Sequence, residues 1–325
     1  MIKKITFAAV TAFSLALTVP LFSSPEAEAA PAPSHGKAQP EFSDIYNPRI
    51  PESMTFCGKK IDFDRTDKYE RLDRELTSLA YTHGNTLLII KRANRFFPIM
   101  APILKANGIP SDFLYLACVE STLNQRAYSP AKAAGIWQFI PSTAKQYGLE
   151  VSDEVDERYN LEKATAAACR YFKNGYSRYG DWTSVMSSFN GGLARISNEL
   201  EAQGQDNSLD LYLAEETTRY PYRIMALKII MENPSDYGFH IADNQLYQPR
   251  KYKTVTVDGP VESWPEWAAE HGISYSTLRE ENPWIRAKSL TNKAGKTYKV
   301  NIPLSESLSR KKAGTTTYNS AWTDR

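Results

Sequence analysis

Glu120 is where chemistry first becomes legible. It follows Phe113-Leu-Tyr-Leu-Ala-Cys-Val119, a run apolar at nearly every position, and a helix that is apolar all round belongs in the interior. Glu120 then stands one turn beyond Leu116 and Ala117, on the face of Phe113. A carboxylate there is costly unless it is paired or protonated. Desolvation raises its pKa, which is how a glutamate becomes a general acid near neutral pH. The competing reading is a helix-end glutamate that turns to solvent or pairs with Arg126, since ion pairs also perturb carboxylates.

Other polar side chains recur in a fixed order downstream. Ser121 adjoins Glu120, and Ser129 precedes Pro130. Gln138 sits in Gly135-Ile136-Trp137-Gln138-Phe139-Ile140-Pro141-Ser-Thr143-Ala144, a segment whose Gly135 stands fifteen residues after Glu120. Asn190 lies in Ser188-Phe189-Asn190-Gly191-Gly192, and Tyr220 closes Glu216-Thr217-Thr218-Arg219-Tyr220. These segments resemble the four motifs of the family 1 lytic murein transglycosylases: a Glu-Ser pair, Gly-[Leu/Ile]-[Met/Trp]-Gln-[Phe/Ile]-x-Pro-x-Thr-[Ala/Gly], Ala-Tyr-Asn-x-Gly and Glu-Thr-x-x-Tyr. Within that family the resemblance is to the membrane-bound lytic murein transglycosylase D group, and it takes in the segment from about Pro51 to Pro110. Arg195 falls where the family often has arginine. One departure stands out: the tyrosine of the third motif is Phe189 here, so a hydroxyl is missing beside Asn190.

The resemblance implies a lysozyme-like helical domain that cleaves the β-1,4 bond between N-acetylmuramic acid and N-acetylglucosamine of peptidoglycan without water. Glu120 would protonate the leaving oxygen, the 2-acetamido group would stabilise the cation at C1, and Glu120 would then take the C6 hydroxyl proton as a 1,6-anhydro ring closes. A second carboxylate is not obligatory in substrate-assisted chemistry, and the motifs hold no obvious one. Ser121, Ser129, Gln138, Asn190 and Tyr220 are the implied substrate-binding residues, with Tyr220 near Glu120. The residues themselves leave blander roles open: Ser121 ending its helix, Ser129 shaping a turn, Gln138 satisfying backbone, Asn190 capping a helix C-terminus, Tyr220 packing. Two other functions also stay open. A hydrolytic muramidase shares the acid but needs a carboxylate to activate water, and a catalytically weak peptidoglycan-binding protein needs only the groove.

Composition excludes much else. Lys+Arg and Asp+Glu number 39 and 37, a formal charge of +2, which is no footprint for nucleic acid. Cys57, Cys118 and Cys169 lack CxxC spacing and the four histidines make no HExxH helix, so no metal is expected. No GxGxxG, GxxxxGK[ST] or GxSxG occurs, and no cofactor is expected. Cys118 and Cys169 fall on apolar helical stretches and read as small buried residues. Aromatic residues reach 12%, enough both to fill a core and to stack on sugars. The expected partner is the peptidoglycan glycan strand, and the expected state a monomer.

The elements that must position these residues follow from punctuation. Lys3 and Lys4, the apolar run Ile5 to Phe22 and the Ala27-x-Ala29 site describe a signal peptide over residues 1–29. An uncleaved anchor is the alternative that Pro20 and the run's Thr and Ser weaken. With no cysteine near for a lipid anchor, the reading is export to the periplasm, in association with the cell wall. Residues 30–50, proline-rich at the start, read as a linker, and 51–109 as an N-terminal helical extension. Residues 110–236 read as the catalytic domain. Helical patterns run from about Tyr69, and over 85–107, where Pro98 and Pro102 interrupt. Others run from Pro110 to about Glu120, from Pro141 to Gly148, from an Asn160 cap to Gly180, from an Asp181 cap to Gly191, and from Tyr220 to Glu232. Residues 250–304 change texture: Tyr252–Val257 and Tyr298–Ile302 alternate like strands around two short helices. That module resembles a divergent LysM glycan-binding domain, best in 267–283, although the usual Gly-Asp-Thr-Leu is replaced by Asp258-Gly259-Pro260-Val261. Glycan binding and a docked structural role are both open for it. Residues 305–325 read as a loose polar tail. The fold class is mainly α with a small α+β C-terminal module.

Overall fold

The computed structural model describes residues 46–324. The expected signal peptide, residues 1–29, and most of the linker lie outside the described residues; residues 46–50 carry no regular structure.

The N-terminal extension opens on an antiparallel hairpin that the sequence reading lacked, β1 (Ser53–Phe56) and β2 (Lys59–Asp62). Its two turn residues, Cys57 and Gly58, have φ of 49° and 79°. Tight hairpins need positive φ at both positions and usually signal this with Asn-Gly; a cysteine hides the signal. Two long helices follow, α1 (Thr66–Tyr81) and α2 (His83–Ala106). Against expectation, Pro98 and Pro102 do not interrupt α2. They stand one turn apart, so the backbone bonds they remove fall on one side. Ala93, Phe97, Met100 and Leu104 meanwhile stay buried, and their burial outweighs the loss.

The helical body comprises α3 (Phe113–Ser121), α4 (Pro141–Gln146), α5 (Leu161–Tyr179), α6 (Trp182–Gly191), α7 (Leu193–Gln203) and α8 (Glu215–Glu232). The caps act as written in the sequence. Asn160 Oδ1 accepts from Lys163 N at 3.0 Å, Asp181 Oδ2 accepts from Ser184 N at 2.8 Å, and Gly180 ends α5 at φ 61°. The α5 stripe Leu161, Ala164, Ala168 and Phe172 is buried. Helix α8 begins five residues before Tyr220, because its polar first turn lacks apolar periodicity; α7 was not read from the sequence, although Leu193, Ile196 and Leu200 are spaced along one helical face. One hydrophobic core joins hairpin, extension and body, from Phe56 through Phe97 and Phe113 to Ile230. Helix α3 lies within it, with Phe113, Leu114, Leu116, Ala117 and Cys118 buried. Cys118 and Cys169 are buried free thiols and Cys57 is half-buried and free. No described helix is long and apolar enough to cross a membrane.

The C-terminal module pairs β3 (Tyr252–Val257) with β4 (Tyr298–Pro303), antiparallel with Val255 opposite Val300, around α9 (Trp264–Glu270) and α10 (Tyr275–Glu281). Its core of Trp264, Leu278, Trp284 and Val300 continues into the body through Ala134, Val155 and Tyr159. The seam is dense. Asp156 N donates to Trp284 O at 2.9 Å and Arg286 N to Glu154 O at 2.8 Å. Glu150 accepts from Lys296 Nζ at 2.9 Å and from the Tyr298 hydroxyl at 3.0 Å, while Glu154 accepts from the Thr291 hydroxyl at 3.0 Å.

The tail is not loose. After α11 (Ser305–Leu308) the chain returns to the extension. Asn94 donates to Thr316 O at 2.9 Å and accepts from Tyr318 N at 2.8 Å. Trp322 is 2% exposed, packs 5.7 Å from the Phe97 ring and donates from Nε1 to Met231 O at 2.7 Å. A polar average concealed one anchoring indole. Trp322→Ala is expected to cost about 3–5 kcal/mol, seen as an earlier midpoint in urea unfolding, with Trp322→Phe losing less.

Candidate active site

Helix α3 stops one residue past Glu120 because Thr122 and Leu123 both adopt left-handed conformations, φ 51° and 54°. Arg92 Nη1 fixes that reversal by donating to Thr122 O at 3.0 Å. Glu120 as a whole is half-buried, with its carboxyl end turned inward to accept a hydrogen bond from the hydroxyl of Tyr220, which is buried in α8. Burial pushes the Glu120 carboxyl up to about 7. The neighbouring Glu216 adds to the rise, while the Tyr220 hydrogen bond and Arg223 oppose it. Burial, then the charge of Glu120, push the Tyr220 phenol well above its ordinary value, so it remains a donor. A carboxyl poised near neutrality can both give and take a proton. Arg126 does not pair with it.

The second motif forms a turned loop whose shape is set by a residue that the sequence reading did not single out. Arg158 is buried and forms a two-pronged pair with Asp156 at 2.9 and 2.7 Å. Its Nη1 also donates to the backbone carbonyls of Lys132, at 2.6 Å, and Phe139, at 3.0 Å. The loop lies against the Arg158 backbone so closely that a Cβ on Gly135, itself at φ +76°, would come within 2.0 Å of Arg158 O. Ser121 is buried, and its hydroxyl donates to Ile136 O at 2.9 Å. It therefore joins the end of α3 to this loop. Gln138, half-buried at φ 48°, donates to Gly135 O at 2.8 Å. The Ser129 hydroxyl accepts from Ala133 N at 3.1 Å and shapes the approach to the loop. Trp137 is wholly buried and donates to the Thr165 hydroxyl at 3.0 Å, so it is core and offers no face to a sugar.

Asn190 lies within α6, exposed; Gly192, not Asn190, caps that helix. Its Oδ1 accepts from the Thr217 hydroxyl at 3.0 Å, which ties the third motif to the fourth. Phe189, which stands where the resembled motif has tyrosine, packs its ring 5.1 Å from Tyr171, 5.3 Å from Phe172 and 5.6 Å from Phe139. Of the six residues singled out in the sequence, Tyr220 meets Glu120 directly, Ser121 reaches the Gln138 loop through backbone, and Asn190 is joined to α8 through Thr217. Among the described residues no cluster of His, Cys, Asp and Glu suits a metal ion.

Comparison with known proteins places residues 98–211 in the transglycosylase SLT domain and residues 253–306 in the soluble lytic transglycosylase C-terminal LysM-like domain. The first match holds Glu120, Ser121, Ser129, Gln138 and Asn190 and ends before Tyr220. The chain is 30% identical over 226 residues to the membrane-bound lytic murein transglycosylase D of Escherichia coli (strain K12), covering 68% of this chain and 48% of that protein. It is 33% identical over 119 residues to the peptidoglycan transglycosylase gp16 of Escherichia phage T7, covering 35% of this chain and 9% of that one. The chain thus spans about half the length of the first of these relatives. Among solved structures, the 70 kDa soluble lytic transglycosylase Slt70 of Escherichia coli aligns at 16% identity and a TM-score of 0.37, over 50% of this chain and 30% of that one.

Gly135→Ala tests the loop geometry. The added methyl meets a backbone carbonyl and a disfavoured φ at once, so the loop must move. The expected result is destabilisation of about 2 kcal/mol or more together with a large fall in turnover. Thermal unfolding and an activity assay on the same preparation check it.

Proposed function

From a chain that carries a transglycosylase SLT domain and a LysM-like C-terminal domain, we propose a lytic transglycosylase that cleaves the β-1,4 bond between N-acetylmuramic acid and N-acetylglucosamine in peptidoglycan, leaving 1,6-anhydro ends. The observation that carries this reading is a carboxyl, Glu120, raised to about 7 at the end of a buried helix, with the Tyr220 hydroxyl on one oxygen. Protonated, it gives its proton to the bridging oxygen as the bond to C1 breaks, and the 2-acetamido group of the same sugar stabilises the cation at C1. The carboxylate left behind accepts the proton of the C6 hydroxyl as that oxygen bonds to C1. The proton count closes without water, and Glu120 ends protonated again. Ser121, by pinning Ile136, keeps the Gln138 loop in register with Glu120; Ser129, Gln138 and Asn190 border the strand. Export to the periplasm, expected from residues 1–29, brings the protein to this substrate.

A hydrolytic muramidase is the second reading, and one observation favours keeping it. Glu216, in the exposed first turn of α8, is a carboxylate whose charge bears on Glu120 and could activate a water. Mass spectrometry of muropeptides from digested peptidoglycan separates the two. Products lighter by one water than the hydrolysis products are expected; reducing muramic ends would reject the transglycosylase. No released product would leave only a binding protein.

Glu120→Gln is expected to abolish product release while stabilising the fold near neutral pH. A raised acid destabilises the folded state once pH exceeds its unfolded value near 4.5, and the penalty levels off above the folded value near 7. At pH 7 that amounts to about 3 kcal/mol, and it vanishes as pH falls below 4.5. Melting curves of the two proteins should coincide at pH 4 and separate by pH 7, with the Gln variant higher.

A further inference from the structure

Glu75 lies on α1, outside every motif segment, and is 1% exposed. Three arginines meet its carboxylate. Arg219 Nε donates to Oε1, with Arg74 Nε 3.5 Å from the same oxygen, and Arg223 Nε donates to Oε2 at 3.2 Å. Arg219 and Arg223 belong to α8 and bracket Tyr220, the residue that holds Glu120. They are four residues apart and share one helical face, so Glu75 grips that face while Tyr220 serves Glu120 from the adjoining one.

Beside burial, the polar and charged groups that bear on Glu120 among the described residues lie on α8. Tyr220 donates to it, Glu216 repels its charge and Arg223 attracts it. Arg223 is thus common to the two carboxylates, one fully buried and paired, the other poised. A buried ion pair that loses one partner leaves the other uncompensated. Without the Glu75 carboxylate, the Arg223 guanidinium would stand unpaired one turn from Tyr220, the residue that holds Glu120.

We propose that Glu75 is a positioning residue for Glu120: it holds Arg223 against α1 and offsets its charge, so that the acid meets a phenol and not an unpaired guanidinium. This rests on the reading of Glu120 as the proton donor. The consequence is a pH dependence set two helices away from the substrate. An acid that must be protonated loses activity as pH rises through its pKa, and an opposite charge that is no longer offset lowers that pKa.

The test is the pH–rate profile of the full chain on purified peptidoglycan, for wild type, Glu75→Gln, Arg223→Gln and the double variant, with melting curves for each. In Glu75→Gln the alkaline limb is expected to move to lower pH. In Arg223→Gln, where Glu75 keeps Arg219 and Arg74, it is expected to move up. The double variant should return the limb towards wild type. Glu75→Asp should keep the wild-type limb with a reduced rate. An unmoved limb with the rate scaled down equally at every pH would reduce Glu75 to a structural anchor and overturn the proposal. So would an unmoved limb in Arg223→Gln, which remains decisive should Glu75→Gln fail to fold. The underlying reading fails differently: wild type would show no alkaline limb, or Glu120→Gln would retain activity.

Discussion

The structure is organised around a carboxyl that water cannot fully solvate. Helix α3 is buried on nearly every side, and each large apolar side chain it removes from water contributes about 1.5–3 kcal/mol. Glu120 ends that helix and inherits its environment. The reversal at Thr122 and Leu123 then prevents the chain from carrying the glutamate onward into solvent. The cost of an acid held neutral is offset by the apolar helix that holds it there. Functional sites commonly depart from the stability optimum in this way.

Around this carboxyl, the supporting geometry comes from buried polar groups whose hydrogen bonds are directed at backbone. Arg158 uses its guanidinium to fasten both ends of the second-motif loop, and Asp156 compensates its charge. Arginine suits this because its rigid fork can serve several acceptors in fixed directions, which a lysine point charge cannot. Asp156 is also the residue whose backbone N–H crosses to Trp284 in the C-terminal module. Loop, clamp and module are therefore linked in series by short contacts.

How much of this was legible depends on whether a residue advertises its role locally. Asn160 and Asp181 did, because capping is a dialogue between a side chain and backbone three residues away. The two module strands did through alternation, and the nearness of Tyr220 to Glu120 was implied by the motifs. The hairpin at Cys57-Gly58 did not, because a cysteine at positive φ is held by its surroundings rather than by its own preference. Pro98 and Pro102 gave a false break, since tertiary burial along Phe97 and Met100 overrode a local penalty. Arg158 and Glu75 were silent for another reason. The carbonyls that Arg158 clamps could come from any residue, and the α8 arginines that meet Glu75 lie far away in sequence, so the nearby Asp156 and Arg74 read as ordinary local charges. The tail misled through averaging: its composition is polar, yet Tyr318 and Trp322 decide where it goes.

The seam between body and module bears on how the two could share a strand. A carbohydrate-binding unit on a flexible linker acts by effective concentration, raising the chance that a wandering catalytic unit meets its target. The bonds from Glu150, Glu154 and Asp156 leave this module no such freedom. Any sugar it grips would be presented at a constant offset from Glu120. Such an arrangement is a fixed spacer: whatever the module touched would meet the Glu120 carboxyl in a single register, and a change in that register would need the seam itself to part.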